Sequence, residues 1–147
     1  MITDVADDMP VTDGGDGAPD LVLPDIPAEP RALTGVRTTV LAWLRDRGLD
    51  EELCQDITLA TYEALANSVE HAYERSADTV VRTIGLEMRA PRVGVVTIDV
   101  TDRGTWVDNG NDPRRGRGLP LIHALADEAS VDSSENGTCV RMLWNAA

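Results

Sequence analysis

Thr83-Ile84-Gly85-Leu86-Glu87-Met88 and, beyond Ala90-Pro91-Arg92, Val96-Thr97-Ile98-Asp99-Val100-Thr101 alternate apolar with polar or small residues at a period of two. Successive side chains of a strand point to opposite faces, so the two stretches predict an antiparallel pair with one apolar face. Upstream the period is helical. Ala32, Leu33, Val36, Val40, Trp43 and Leu44 recur at three- and four-residue steps from Glu29 onward, with Gly48 as the stop. Asp50 then caps a second helix that carries Glu51 and Glu52 in its first turn, an apolar stripe of Leu53, Ile57, Ala60, Ala64 and Ser68, and an end near Tyr73.

Downstream, residues 103–117 are rich in Gly, Asp, Asn and Arg and read as a loop, ahead of a short helix carrying Leu119, Ile122, Leu125 and Ala126. Two strands follow, around Ala129–Asp132 and Thr138–Trp144, joined by the turn residues Ser133-Ser134-Glu135-Asn136-Gly137. Leu21-Val22-Leu23 adds an edge strand, where Pro24 is tolerated because an edge needs no internal donor. Helices gathered in one stretch and strands in another predict an α+β fold: a two-layer sandwich whose mostly antiparallel sheet is covered by helices on one face.

The chain of 147 residues has the size of one domain with a tail. Residues 1–30 hold eight acidic side chains, no basic ones and repeated Gly and Pro. Residues 1–18 therefore read as an acidic disordered tail or linker, and 19–147 as the folded domain. Overall, 26 Asp and Glu face 13 Arg and no Lys, a net charge of −13. That balance excludes general nucleic-acid affinity, because no surplus of cations can displace counterions from a phosphate backbone. No apolar run approaches the ~20 residues of a membrane helix, and the acidic start does not resemble a secretory signal. The expected location is cytoplasmic. Cys54 and Cys139 sit in apolar-periodic segments without C-x-x-C spacing and read as reduced, buried thiols.

Three polar features stand out against this scaffold. Glu63, Asn67 and His71 fall at i, i+4 and i+8 on the second helix and form one polar stripe. Such a stripe is ordinarily a solvated face, but an interior Asn is a weak helix former that needs a partner. Asp102 shares the parity of Val96, Ile98 and Val100, so the alternation turns a carboxylate onto the buried face, where it must find a donor. Finally, Arg114-Arg115-Gly116-Arg117-Gly118-Leu119 is a basic, Gly-rich loop opening a helix, a place where backbone N–H groups and the helix dipole favour an anion.

In this order the motifs resemble the histidine-kinase-like (GHKL, Bergerat-fold) ATPases, and among them the bacterial anti-sigma-factor serine kinases, over residues 20–145. Glu63-Ala64-Leu65-Ala66-Asn67-Ser68-Val69-Glu70-His71-Ala72-Tyr73 looks like the family's N-box. Asp102-Arg103-Gly104 looks like its first glycine box, Gly116-Arg117-Gly118-Leu119 like its second, and Gly137-Thr138 like its third. Two departures mark this chain: Trp106 stands where the first box has a second glycine, and the segment Thr105–Arg115 is brief for the family's lid.

The resemblance implies ATP and Mg²⁺. Asn67 would be the side-chain ligand to the metal, Asp102 would accept the adenine amino proton, Gly104 would let the backbone pass close to the base, and Thr138 would support the adenine contact. The turn Gly116, Arg117, Gly118 and Leu119 would lay its N–H groups on the phosphates, with Arg114 or Arg115 neutralising the terminal one. Glu63 would be the general base toward an incoming serine hydroxyl. The implied function is an ATP-dependent protein serine kinase acting as an anti-sigma factor. It would phosphorylate a STAS-domain anti-anti-sigma factor and sequester a sigma factor, with a homodimer allowed and no direct nucleic-acid or membrane partner. The alternative is a catalytically weak ATP-binding module that switches partners by protein binding, motivated by Trp106 and the short lid. His123 reads as a surface or interface residue, and His71 as structural.

Overall fold

A computed structural model describes residues 20–75, 82–103, 115–134 and 137–146. The expected acidic tail and the lid segment lie outside them. The order is β1 (Leu21–Pro27), α1 (Ala32–Asp46), α2 (Glu51–Arg75), β2 (Thr83–Arg92), β3 (Val95–Asp102), α3 (Arg115–Leu125), β4 (Glu128–Ser134) and β5 (Gly137–Asn145). One five-stranded sheet runs β1-β2-β3-β5-β4, every neighbouring pair antiparallel.

Both helices form for the reasons visible in their residues. α1 begins at Ala32, after a tight turn in which Ala32 N–H donates to the Glu29 carbonyl and Leu33 N–H to that of Pro30. It ends where Gly48 takes φ +75° and donates its N–H to the Arg45 carbonyl, the left-handed stop that glycine adopts without a Cβ penalty. The Asp50 carboxylate accepts the Leu53 N–H at 3.4 Å, capping α2. The Arg45 guanidinium grips Glu51 with two bonds, 3.0 and 2.5 Å, and so ties the end of α1 to the start of α2.

The alternation of β2 and β3 translates directly into burial: Ile84, Leu86, Met88, Val96, Ile98 and Val100 are all inside. They meet Leu33, Val36, Val40 and Leu44 from α1 and Ile57, Ala60, Ala64, Leu65 and Val69 from α2, and Val140, Met142 and Trp144 complete the core from β5. The opposite sheet face carries Asp99 bonded twice to Arg141, at 2.7 and 3.1 Å, and Glu87 paired with Arg89. Cys54 is fully buried and Cys139 half-buried, both free, and burial raises both thiol pKa values.

The structure lengthens four expected elements, β1, α3, β4 and β5. β1 continues past Pro24 to Pro27 because a bulge absorbs the proline: Leu23 pairs Leu86 and Ile26 pairs Ile84, three steps on β1 against two on β2. β4 and β5 run on to Ser134 and Gly137, so Ser133 belongs to a strand and pairs Thr138 instead of turning. α3 starts at Arg115, ahead of its first apolar residue, since a Gly-Arg-Gly string shows no helical period.

Two outcomes follow. Ile98 is fully buried mid-sheet, and Ile98→Ala lowers the unfolding free energy in urea by about 2–5 kcal/mol. Arg45 holds Glu51 down to about 2 from its ordinary 4.5, chiefly through the side-chain hydrogen bond. A carboxylate depressed in the folded state contributes its stability above the ordinary value and loses it as pH falls through about 2. Glu51→Gln therefore melts below wild type at pH 7, modestly because the pair is exposed, and the two melting curves converge as pH approaches 2.

Candidate functional site

Sheet pairing gathers the polar residues into one row. Ile26 lies opposite Ile84, Ile84 opposite Asp102, Asp102 opposite Thr138, and Thr138 opposite Ser133. Directly opposed residues of an antiparallel sheet project to the same face with Cβ atoms roughly 4.5–5.5 Å apart. The apolar floor of the sandwich thus changes to carboxylate and hydroxyls at the end of the sheet where β3 leaves and β5 enters. Asp102 is half-buried there and Thr138 is buried to 3% exposure. The Thr138 and Ser133 hydroxyl oxygens are 3.1 Å apart, a hydrogen bond between neighbouring strands.

Gly137 makes this row possible. Its φ is +145°, and a Cβ built on it would sit 2.2 Å from the Asp102 carbonyl oxygen and 3.1 Å from the Arg103 Cα. Only a residue without a side chain lets β5 begin this close to the end of β3.

α2 brings the second set. Seven residues, 76–82, separate its end at Arg75 from Thr83, and Thr83 adjoins Ile84 of the polar row. α2 packs on β2 and β3, the two strands that carry Ile84 and Asp102. Glu63 and Asn67 stand one turn apart on it, Glu63 half-buried and Asn67 buried to 7% exposure. The stripe is therefore not a solvated face at Asn67, because α2 packs against α1, α3, β2 and β3 at once. The Asn67 amide nitrogen is buried with no hydrogen-bond partner among the described residues, a condition costing about 1–3 kcal/mol unless another atom supplies the bond. Thr58 and Ser68 bury unpartnered hydroxyls on the same helix, so Asn67 is distinguished by its place one turn beyond Glu63.

α3 packs against α2 and β4. Its C-terminal end is tied to the far end of β5: the Trp144 indole N–H donates to the Leu125 carbonyl at 2.9 Å, and the Asn145 N–H donates to Asp127 at 2.6 Å. Arg115, Gly116, Arg117, Gly118 and Leu119 form the first turns of this helix, where the leading backbone N–H groups have no intrahelical partners. Gly104, Arg114, Trp106 and the side chains of Arg115 to Leu119 and of His71 lie outside the described residues. His123 is exposed, as expected of a surface residue. The described residues contain no cluster of three or more His, Cys, Asp or Glu that could hold a metal.

Sequence reasoning singled out Glu63, Asn67, Asp102 and Thr138 but read Ser133 as a turn residue and gave Gly137 no contact. The Ser-Ser-Glu-Asn-Gly composition is that of a turn, and only the register reveals the hydroxyl pair.

Residues 26–144 match the family described as the histidine kinase-like ATPase domain. The serine-protein kinase RsbW of Staphylococcus epidermidis is 28% identical over 131 residues, spanning 80% of this chain and 82% of that protein. The anti-sigma F factor of Clostridium beijerinckii is 31% identical over 126 residues, 77% of this chain and 84% of that one. Among solved structures, the RsbU and RsbW domains of a Mycobacterium tuberculosis protein superpose with a TM-score of 0.68 at 28% identity, covering 88% of this chain and 33% of that longer one. A histidine kinase domain from Erythrobacter litoralis, at 18% identity and a TM-score of 0.53, shares the fold. With its helix-covered antiparallel sheet and a polar row at one end, the chain belongs to the histidine kinase-like ATPase domain family, in the group that includes serine-protein kinase RsbW and anti-sigma F factor.

Proposed function

We propose that the chain is an ATP-dependent protein serine kinase of the anti-sigma type, which phosphorylates a STAS-domain anti-anti-sigma factor and, when that partner is unavailable, holds a sigma factor inactive. The observation that carries this reading is the cross-strand pair of Asp102 and Thr138, which sets a carboxylate and a buried hydroxyl side by side on the helix-covered face of the sheet. The names of its relatives, a serine-protein kinase and an anti-sigma factor, supply the reaction class.

The described residues divide the work between the two ends of the nucleotide. Asp102, an acceptor at the end of an apolar face, receives the adenine amino group, and Thr138 meets the base beside it. Asn67 would hold Mg²⁺ through its amide oxygen, and the ion would neutralise charge on the phosphate oxygens. The leading N–H groups of α3, with Gly116, Arg117, Gly118 and Leu119, cradle the phosphates. Gly104, Arg114 and Arg115 keep the roles the sequence motifs imply, closeness to the base and charge on the terminal phosphate. Glu63, one turn before Asn67, takes the proton from the serine hydroxyl as its oxygen bonds to the γ-phosphorus and ADP leaves with the bridging oxygen. Phosphoryl transfer depends mostly on positioning and charge neutralisation, so a half-buried carboxylate on the metal-binding helix is enough for that proton.

Incubated with Mg·ATP and a cognate STAS protein, the chain transfers phosphate to one serine. Glu63→Ala slows transfer by about 10²–10⁴-fold with ATP affinity retained, and Asn67→Ala removes the difference in ATP affinity between magnesium and EDTA buffers. Wild-type protein that binds ATP but labels no such partner sinks the kinase reading. Because a Cβ on Gly137 collides with the Asp102 carbonyl, Gly137→Ala weakens ATP binding in calorimetry by at least about tenfold, the order of a lost site geometry.

A further inference from the structure

We infer that Ser133 is a positioning residue for nucleotide recognition: through its hydrogen bond to Thr138 it orients the Thr138 hydroxyl as a donor and so extends the adenine reader from two residues to three. The inference rests on the adenine-binding reading of Asp102 and Thr138 proposed above.

The geometry is direct. Ser133 is the cross-strand partner of Thr138, which is the cross-strand partner of Asp102, so all three side chains project from one row of the sheet. The Ser133 and Thr138 oxygens lie 3.1 Å apart, and either can donate. Thr138 is buried and Ser133 is exposed on the edge strand. Ser133 can therefore direct its proton inward while water satisfies its own oxygen.

The chemistry of the base selects one of the two polarities. The coding edge of adenine carries a donor, the amino group, next to an acceptor, ring nitrogen N1. An ionised carboxylate only accepts and serves the amino group, so N1 needs a donor from the neighbouring position. A hydroxyl has one proton and two lone pairs. When Ser133 donates to Thr138, the Thr138 proton is directed toward N1, straight or through a water, and the two bonds polarise one another. The reverse polarity would turn an oxygen lone pair toward N1 and repel it. Guanine, with a carbonyl oxygen and an N–H in these two places, meets an acceptor and a donor in the wrong order.

The Ser133–Thr138 bond is present before nucleotide binds, so removing the Ser133 hydroxyl acts by leaving the Thr138 proton free to turn away from N1, a loss of about five-fold in affinity, the order of one weakened neutral hydrogen bond. Calorimetry on the full chain with ATP, purine riboside triphosphate and GTP, each with magnesium, reads this out, because the first two share N1 and only ATP has the amino group. Ser133→Ala weakens ATP and purine riboside triphosphate by about the same five-fold and leaves GTP unchanged, and Ser133→Thr, which keeps the hydroxyl, restores wild-type values. Asp102→Asn, by contrast, weakens ATP and spares purine riboside triphosphate. Equal loss for all three nucleotides in Ser133→Ala, or no loss for any, overturns the role of Ser133 while leaving the Asp102 reading intact. ATP binding insensitive to Asp102→Asn overturns the base-binding reading and this inference with it.

Discussion

The ladder between β3 and β5 is the constraint on which the site depends. It runs from Val95 opposite Asn145 to Asp102 opposite Thr138 with no bulge. Because side chains alternate strictly, a single-residue slip would send Val100, Ile98 and Val140 to the solvent face and carry Asp102 and Thr138 with them. The hydrophobic core that demands the register therefore also places the two polar residues on the helix-covered face. Gly137 is the tolerance at the end of that ladder: its missing side chain lets the last pair close against the Asp102 backbone.

α2 is the second rigid reference. At 25 residues it is longer than α1 or α3, and it touches α1, α3 and the neighbouring strands β2 and β3. That enclosure is why its inner surface mixes Ile57, Ala60 and Leu65 with Thr58, Asn67 and Ser68, all buried. An unpartnered buried amide is unfavourable in a protein evaluated for folding alone. It becomes useful where a polar ligand completes it, the usual relation between local instability and a binding site.

The two faces of the sheet contrast sharply. On the open face, arginines are paired with carboxylates, Asp99 with Arg141 and Glu87 with Arg89, in exposed positions where such pairs keep the surface soluble and contribute little to stability. The edges differ too. β1 carries Pro24, Pro27 and a bulge, features that discourage pairing with another chain. β4 at the opposite edge holds Ser133, whose hydroxyl reaches inward to the polar row.

Periodicity alone determined the elements, the α+β class, the inward faces of β2 and β3, the Asp50 cap and the Gly48 stop, because each of these depends on side-chain spacing within one short segment. The order of Glu63, Asn67, Asp102, Thr138 and the glycine-rich motifs was likewise enough to indicate the family. What the tertiary structure decided concerns residues far apart in sequence or hidden by local composition. Ser133 looks like a turn until pairing sets it against Thr138, the edge strand Leu21-Val22-Leu23 stops short of Pro27 until a bulge carries it there, and the stripe of Glu63 and Asn67 looks like an ordinary solvated face until α2 packs against two helices and two strands. Hydrogen bonds across strands and burial between helices arise only when the whole sheet closes, so no window of sequence contains them.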